Sequence, residues 1–148
     1  MSDSESRVVS ASRVIAAPAD VIFEQIADPS RQPAWDGNDN LGSAAGGQRV
    51  RAVGEVFSMT LGSGAVRENH VVEFEEGRRI AWKPAEEGKP PIGQLWRWEL
   101  EPADGGTRVT HTYDWTQLHD ESRLDRARRT REEQLLASID RLRSLLED

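Results

Sequence analysis

The sequence predicts an α+β protein in which a curved antiparallel sheet of six to seven strands wraps around a long C-terminal helix, with two short helices after the first strand. Three observations predict this arrangement. Residues 49–115 alternate repeatedly between apolar and polar side chains, and turn-forming residues separate the alternating runs. Residues 120–147 instead carry apolar side chains every three or four positions, which indicates one face of a helix. A helix of about 27 residues with a single apolar stripe needs a sheet to cover that stripe.

The N-terminal segment predicts a tail, a strand and a helix. Residues 1–6 are polar, and we expect them to form a flexible tail. Residues 8–15 alternate and are rich in β-branched side chains, which predicts a strand. Pro18 suits the first turn of the helix that follows, because the N–H that proline lacks would have no partner there. Asp20 adds a negative charge near the positive end of the helix dipole.

Capping and turn-forming residues predict the second short helix and the limits of the strands. Asp28 can cap a helix that begins at Pro29 and ends near residues 33–35. Residues 36–48 are rich in turn formers, which predicts a loop with room for one short strand. Short links between the later strands predict an antiparallel meander. The predicted strands are residues 49–53, 55–61, 65–75, 79–83, 92–101 and 107–115.

The last segment, residues 120–147, contains no proline or glycine and is predicted as one continuous helix. Arg131 occupies a position on its apolar face. The residues of that face are Leu124, Ala127, Arg131, Leu135, Ile139, Leu142 and Leu146. The same segment holds a run of arginines, but residues 119–148 carry seven arginines and eight acidic residues. We therefore interpret the run as a solvated helix face rather than as an RNA-binding surface.

Composition excludes several classes of protein. The chain has 148 residues, which predicts a single domain, and no cysteine, which excludes disulfides, thiolate metal sites and a cysteine nucleophile. The net charge of −7 argues against nucleic-acid binding. There is no apolar run of membrane-spanning length and no signal-peptide pattern, so we expect a cytoplasmic protein without membrane insertion. A preference for arginine over lysine is typical of a GC-rich bacterial genome.

Three short motifs resemble a known family. Residues 14–36 read VIAAPADVIFEQIADPSRQPAWD, residues 78–84 read RRIAWKP, and residues 105–109 read GGTRV. This pattern resembles the START-like (Bet v 1-like) superfamily and, within it, the bacterial SRPBCC proteins of the polyketide cyclase/dehydrase type. Gly77 departs from the family pattern, which usually has proline there. The resemblance covers about residues 8–147 and implies one START-like domain over 1–148 with a helix-grip fold and an internal cavity.

Strand parity predicts which side chains face that cavity, because alternate residues of a strand point to opposite faces. Trp96 and Trp98 share one face of their strand, and His111 and Tyr113 share one face of the next. The apolar Val72 and Phe74 are expected to point inward, and without a bulge this would place Glu68 and His70 inward as well. The predicted ligand-binding residues are Trp35, Phe57, Met59, His70, Trp82, Trp96, Trp98, His111, Tyr113, Trp115, Leu124, Ala127, Arg131 and Leu135.

Three polar residues are candidates for chemistry. His111 and Tyr113 on an apolar inner face either bind a substrate oxygen or find partners within the fold. Arg131 either binds an acidic ligand group, pairs with Glu68, or extends to solvent. The sequence contains no HExxH, GxSxG or glycine-rich phosphate motif, so we expect no metal and no cofactor.

Three functions remain open. The first is binding of a small hydrophobic molecule, such as a lipid, a polyketide or an aromatic metabolite, in the internal cavity. The second is a polyketide cyclase or aromatase activity, in which polar groups of the cavity stabilise an enolate. The third is an interaction protein with no ligand. The family resemblance implies the first two without choosing between them, and we expect a monomer or a homodimer.

Overall fold

The computed structural model describes residues 6–147 and contains one sheet of seven antiparallel strands. The strand order across the sheet is β1-β7-β6-β5-β4-β3-β2. Strands β2 to β7 therefore form a meander, and β1 pairs with β7 at one edge of the sheet. The strands are β1 (Val8–Ile15), β2 (Leu41–Ser43), β3 (Val56–Leu61), β4 (Val66–Glu75), β5 (Arg79–Glu86), β6 (Leu95–Ala103) and β7 (Gly106–Asp114). The helices are α1 (Ala19–Ala27), a 3₁₀ helix (Pro29–Ala34), α2 (Glu121–Arg129) and α3 (Glu132–Leu146).

The core lies between the sheet and the helices. α3 packs against β1 and β7 and buries Leu135, Ile139 and Leu142. α1 buries Ile22 and Phe23 on the same side of the sheet. None of the helices formed by residues 6–147 has the length and apolar composition of a membrane-spanning helix. The structure therefore has the predicted architecture of a curved sheet holding C-terminal helices.

The C-terminal helical segment is interrupted, where the sequence predicted one continuous helix over 120–147. α2 ends at Arg129, and α3 begins at Glu132. The Gln134 side chain explains the break: its Nε2 donates to the Arg129 carbonyl at 3.0 Å, and its Oε1 accepts from the Arg131 N–H at 2.8 Å. It thus satisfies the end of one helix and the start of the next, as a capping side chain does.

A β-bulge in β4 reverses the predicted parity of its first half. The pairing with β5 shifts register between Val71 and Glu73. Asn69 and Val71 are buried on the inner face, and Phe74, beyond the bulge, also packs inward against Phe23. The prediction that Val72 and His70 share the inner face with Phe74 is therefore wrong, because the extra residue changes which side chains point inward; Val72 is exposed.

The predicted strand at residues 49–53 is a loop. The Val50 N–H donates to the Ala27 carbonyl at the end of α1, at 3.0 Å. Arg49 bridges Glu24 and Glu76, with N–O distances of 2.9 and 2.7 Å. Because the backbone and side chains of this segment bind α1 and the β4–β5 turn, they pair with no strand.

The loop after the 3₁₀ helix packs tightly on α3. The Gly37 N–H donates to Ser138 Oγ at 2.7 Å. A Cβ atom on Gly37 would overlap the Gln134 carbonyl oxygen and would lie 2.7 Å from the Ser138 backbone nitrogen. Glycine is therefore required for this close approach, which holds the loop against α3.

Candidate functional site

A cavity of about 440 Å³ opens between the inner face of the sheet, the loop after the 3₁₀ helix, and the junction of α2 with α3. The sheet contributes most of the aromatic side chains, the loop contributes polar side chains, and the helices contribute arginines. The sheet supplies Leu41, Met59, Leu61, Arg67, Asn69, Trp82, Pro84, Trp96, Trp98, His111 and Tyr113, and Gln94 precedes β6. The 3₁₀ helix and its loop supply Gln32, Trp35, Asp36, Asn38 and Asn40. The helices supply Arg123, Arg126, Arg129, Thr130 and Gln134.

Aromatic rings form the floor of the cavity. Trp98 is fully buried, stacks on His111 with ring centroids 3.7 Å apart, and meets Trp35 edge-on at 5.2 Å. Trp96 stacks on Tyr113 at 4.2 Å. Trp98 and His111, like Trp96 and Tyr113, are direct cross-strand partners of β6 and β7. Regular pairing of two strands therefore places these four rings side by side.

His111 is a neutral hydrogen-bond acceptor toward the cavity. Burial lowers its pKa from 6.5 to about 3, and the hydrogen bond to the Arg97 backbone only partly opposes this shift. Nδ1 lies 3.0 Å from the Arg97 carbonyl oxygen. Because a carbonyl oxygen can only accept, Nδ1 donates and Nε2 keeps a lone pair. Residues 6–147 supply no donor to Nε2, so a ligand could provide one.

Two further polar groups of the floor bear on ligand binding. The Trp98 Nε1 hydrogen is buried and has no acceptor among the described residues. Burial raises the pKa of Tyr113, and the hydrogen bond with Gln94 and the charge of Arg126 oppose this effect. An unpaired buried donor costs about 1–3 kcal/mol, so Trp98 is held in place at some cost in stability.

Asp36 is the one acidic side chain among the described residues of the cavity wall, and it is nearly buried. Burial raises its pKa, and hydrogen bonds from Asn38 and Asn40 oppose the rise. With its amide turned to suit both neighbours, Asn40 donates to Asp36 at 3.1 Å and accepts from Arg126 at 2.8 Å. Asp36 therefore organises the loop that faces α2.

Four arginines bring positive charge to the same cavity. Arg67 projects from β4, and the others come from α2. Burial lowers the pKa of Arg67, and the charges of Arg123 and Arg126 lower it further, against the opposing charge of Glu86. This pattern shows that the guanidinium groups lie near one another. The arginines are Arg67, Arg123, Arg126 and Arg129.

Half of the predicted ligand-binding residues lie on the cavity wall. They are Trp35, Met59, Trp82, Trp96, Trp98, His111 and Tyr113. Four others are buried in the core and do not reach the cavity: Phe57, Trp115, Ala127 and Leu135. Leu124 is partly buried and packs against the core. His70 faces away because of the bulge in β4.

Arg131 does not line the cavity, contrary to the prediction. It is exposed and precedes α3 at the break between the helices. α2 places Arg123 and Arg126 on the cavity wall, whereas Leu124 and Ala127 pack against the core. The predicted pair of Arg131 with Glu68 is also absent from the described residues; Glu68 accepts instead from the Gly88 N–H at 2.8 Å.

Sequence reasoning missed the polar rim. Asp36, Asn38 and Asn40 lie in a loop for which no strand or helix periodicity predicts a direction. The sequence indicates a solvated face for the arginines of α2, and Arg126, Arg128 and Arg129 are exposed, but that interpretation does not predict that the helix also borders the cavity. Their three-residue spacing, Arg123, Arg126 and Arg129, is what places them on one side of the helix.

Comparisons with known proteins agree with this architecture. The family model described as polyketide cyclase / dehydrase and lipid transport matches residues 6–147. The uncharacterized protein Rv0088 of Mycobacterium tuberculosis is 36% identical over an alignment of 114 residues that covers 72% of this chain and 47% of that protein. The chain thus spans about half the length of the curated relatives it matches.

Solved structures share the fold at low sequence identity. Protein MLL2253 from Mesorhizobium loti has a TM-score of 0.69 at 20% identity, over 94% of this chain and 96% of that one. DynU16, a putative protein in the dynemicin biosynthetic locus, has a TM-score of 0.66 at 19% identity, over 95% of this chain and 47% of that one. At these identities the likeness concerns the fold alone.

Proposed function

Because the chain belongs to the polyketide cyclase/dehydrase and lipid transport family, we propose that it binds a small hydrophobic molecule in the cavity between its sheet and its C-terminal helices. The observation that carries the proposal is the floor of that cavity, where four tryptophans accompany His111, whose Nε2 has no donor among residues 6–147. Trp35, Trp82, Trp96 and Trp98 form this floor. Aromatic walls with a few oriented polar groups are typical of small-molecule sites.

The size of the cavity supports one small ligand. A volume of about 440 Å³ lies within the range of ordinary ligand pockets, roughly 300–1,000 Å³. A bilayer-forming lipid with two long chains needs more room than this. A single aromatic or short aliphatic molecule fits the volume, and burying it would remove the exposed apolar surface of the floor from water.

The polar groups of the floor favour a ligand with at least one oxygen. The His111 Nε2 lone pair can accept from a ligand hydroxyl, because Nδ1 donates to the Arg97 carbonyl. The imidazole is held rigidly, since it stacks on Trp98 and the Arg97 carbonyl fixes Nδ1. A hydroxylated aromatic or polyketide-type molecule matches this acceptor and the aromatic walls.

A cyclase-type activity is the second candidate, and Asp36 is the observation that favours it. A nearly buried carboxyl with a raised pKa on a cavity wall is a common proton donor in enzymes. His111 favours binding instead, because a histidine with a pKa of about 3 exchanges no proton near neutral pH. Its Nδ1 is also held by a backbone carbonyl rather than by a carboxylate.

The two candidates differ in what happens to a bound polyketide-type ligand. If the protein only binds, mass spectrometry after incubation should recover the ligand unchanged. If it catalyses cyclisation with dehydration, the recovered ligand should have lost the mass of one water. An Asp36→Asn variant should retain binding and abolish that loss of mass, if Asp36 supplies the proton.

Binding itself is tested with N-phenylnaphthylamine, a neutral apolar dye that fluoresces when removed from water. We expect saturable binding with one dye per chain, together with quenching of tryptophan emission. Trp98→Phe should remove much of this quenching. Trp115→Phe is the matched control, since Trp115 is buried but lies outside the cavity, and it should remove little. No saturable binding, or equal effects of the two variants, would refute the proposal.

A further inference from the structure

We propose that the ligand carries an acidic group, such as a carboxylate, a sulfonate or a phosphate, which the guanidinium groups of Arg67 and Arg126 bind at the rim of the cavity. This inference rests on the proposed function, because it assigns the polar end of the molecule whose apolar end occupies the aromatic floor. It replaces the predicted role of Arg131, which lies outside the cavity.

The first argument for an acidic ligand group is the positive charge of the cavity wall. The described part of the cavity wall carries four arginines and one carboxylate, that of Asp36, although the whole chain has a net charge of −7. The cavity is therefore positive in an acidic protein. Clefts lined by one sign of charge attract ligands of the opposite sign.

Arg67 lacks the partner that a partly buried arginine normally has. It lies on β4 between Met59 of β3 and Glu86 of β5. No described residue forms a hydrogen bond with its side chain or an ion pair with it within 4.0 Å. Its pKa is lowered by burial and then by the charges of Arg123 and Arg126. An anion placed among these groups would relieve both effects.

The one acidic neighbour of Arg67 is already engaged. Glu86 forms an ion pair with Arg123 and another with Lys89, the latter at 3.0 Å. Two cations thus share this carboxylate, and it cannot neutralise a third. Arg126 contacts only a neutral partner among the described residues, the amide oxygen of Asn40 at 2.8 Å. Neither Arg67 nor Arg126 therefore has a carboxylate as an ion-pair partner among residues 6–147.

The charged rim and the aromatic floor belong to one cavity, so one molecule can reach both. The positive charge of Arg126 acts to lower the pKa of Tyr113, whose ring stacks on Trp96. A guanidinium group presents paired N–H donors that match the two oxygens of an acidic group. The geometry fits an amphiphile with its apolar body on the tryptophans and its acid between β4 and α2.

The test compares two dyes with the same aromatic skeleton, N-phenylnaphthylamine and anilinonaphthalene sulfonate, which differ by one sulfonate group. In the wild-type protein both should bind. Arg67→Gln should raise the Kd of the sulfonate dye by about tenfold, since a hydrogen bond to a charged group is lost. The same variant should change the Kd of the neutral dye by less than about twofold. Added salt should weaken binding of the sulfonate dye alone.

Arg126→Gln and Arg128→Gln provide a matched pair on one helix. Arg126 lines the cavity, whereas Arg128 does not and pairs with Asp125 at 3.1 Å. Arg126→Gln should weaken binding of the sulfonate dye, and Arg128→Gln should leave it unchanged. This pair keeps the test decisive if Arg67→Gln fails to fold.

The outcomes separate this inference from the proposed function. Suppose both dyes bind and neither Arg67→Gln nor Arg126→Gln changes the Kd of the sulfonate dye more than that of the neutral dye. The proposal of an acidic ligand group is then refuted, whereas the proposed hydrophobic binding site is retained. If neither dye binds, both proposals fall together. Inorganic phosphate is the third arm: it should not raise the melting temperature as the sulfonate dye does, because it lacks an apolar body. An equal rise with phosphate would assign the arginines to a free anion and overturn the inference.

Discussion

Trp98 and His111 stack face to face across β6 and β7, with centroids 3.7 Å apart and planes 13° from parallel, and this contact keeps the imidazole buried and neutral. The same strand pair orients the ring, because the Arg97 carbonyl that accepts from Nδ1 belongs to the residue before Trp98. His111 thus serves as a fixed acceptor on the cavity floor. Because its pKa differs between the folded and the unfolded chain, the free energy of unfolding depends on pH.

The first prediction concerns acid stability. The folded-state pKa of His111 is about 3, below the ordinary value of 6.5, so the unfolded chain takes up the proton first as pH falls. The contribution of His111 is therefore fully present above pH 6.5 and is lost as pH falls toward 3. The wild type should lose up to about 1.4 kcal/mol of unfolding free energy per pH unit more than His111→Asn.

Denaturant titrations between neutral pH and mildly acidic pH measure this difference in slope. His119→Asn, at an exposed position, is the control for removal of a histidine. Parallel stability curves for the wild type and His111→Asn would contradict the assignment of a neutral, buried imidazole.

The second prediction concerns the loop that faces α2. Gly37→Ala should destabilise the protein by about 1–3 kcal/mol, because the added methyl group would overlap backbone atoms of α3. Gly46→Ala is the matched control, since a Cβ there meets no atom within 4 Å. Equal melting temperatures for the two variants would show that the loop does not pack on α3 as described.

The third prediction concerns the junction of the two C-terminal helices. Gln134→Ala removes the side chain that bonds both the Arg129 carbonyl and the Arg131 N–H, and should cost about 1–2 kcal/mol. Gln117→Ala removes the same kind of side chain from an exposed turn and should cost little. Hydrogen exchange should also become faster in α2 of the Gln134 variant. Unchanged exchange in α2 would mean that Gln134 does not hold the junction.

Regular pairing explains which parts of the site the sequence could predict. The inward positions of Trp98 and His111 follow from alternation, because β6 and β7 pair without a shift from Leu95 to Ala103. His70 was misplaced because a bulge carries no fixed sequence signature. The length of β1 was also predictable, since its β-branched run ends at a turn before Pro18.

The parts that the sequence could not predict depend on tertiary contacts. The break before Arg131 arises from a glutamine side chain that bonds two backbone groups, in a segment whose residues all tolerate a helix. The cationic rim includes Arg123 and Arg126 of α2, which border the cavity although Arg126 stays exposed. Asp36 and its loop are placed by Gly37 against α3, a close approach that no periodicity shows.

The most direct test of the hydrophobic site is a proton–nitrogen correlation spectrum of the five tryptophan indoles during titration with N-phenylnaphthylamine. Trp35, Trp82, Trp96 and Trp98 line the cavity, whereas Trp115 is buried outside it. We expect the four cavity indole signals to shift along one saturable curve while the Trp115 signal stays in place. Five unmoved signals, or shifts that include Trp115 equally, would contradict the hydrophobic site.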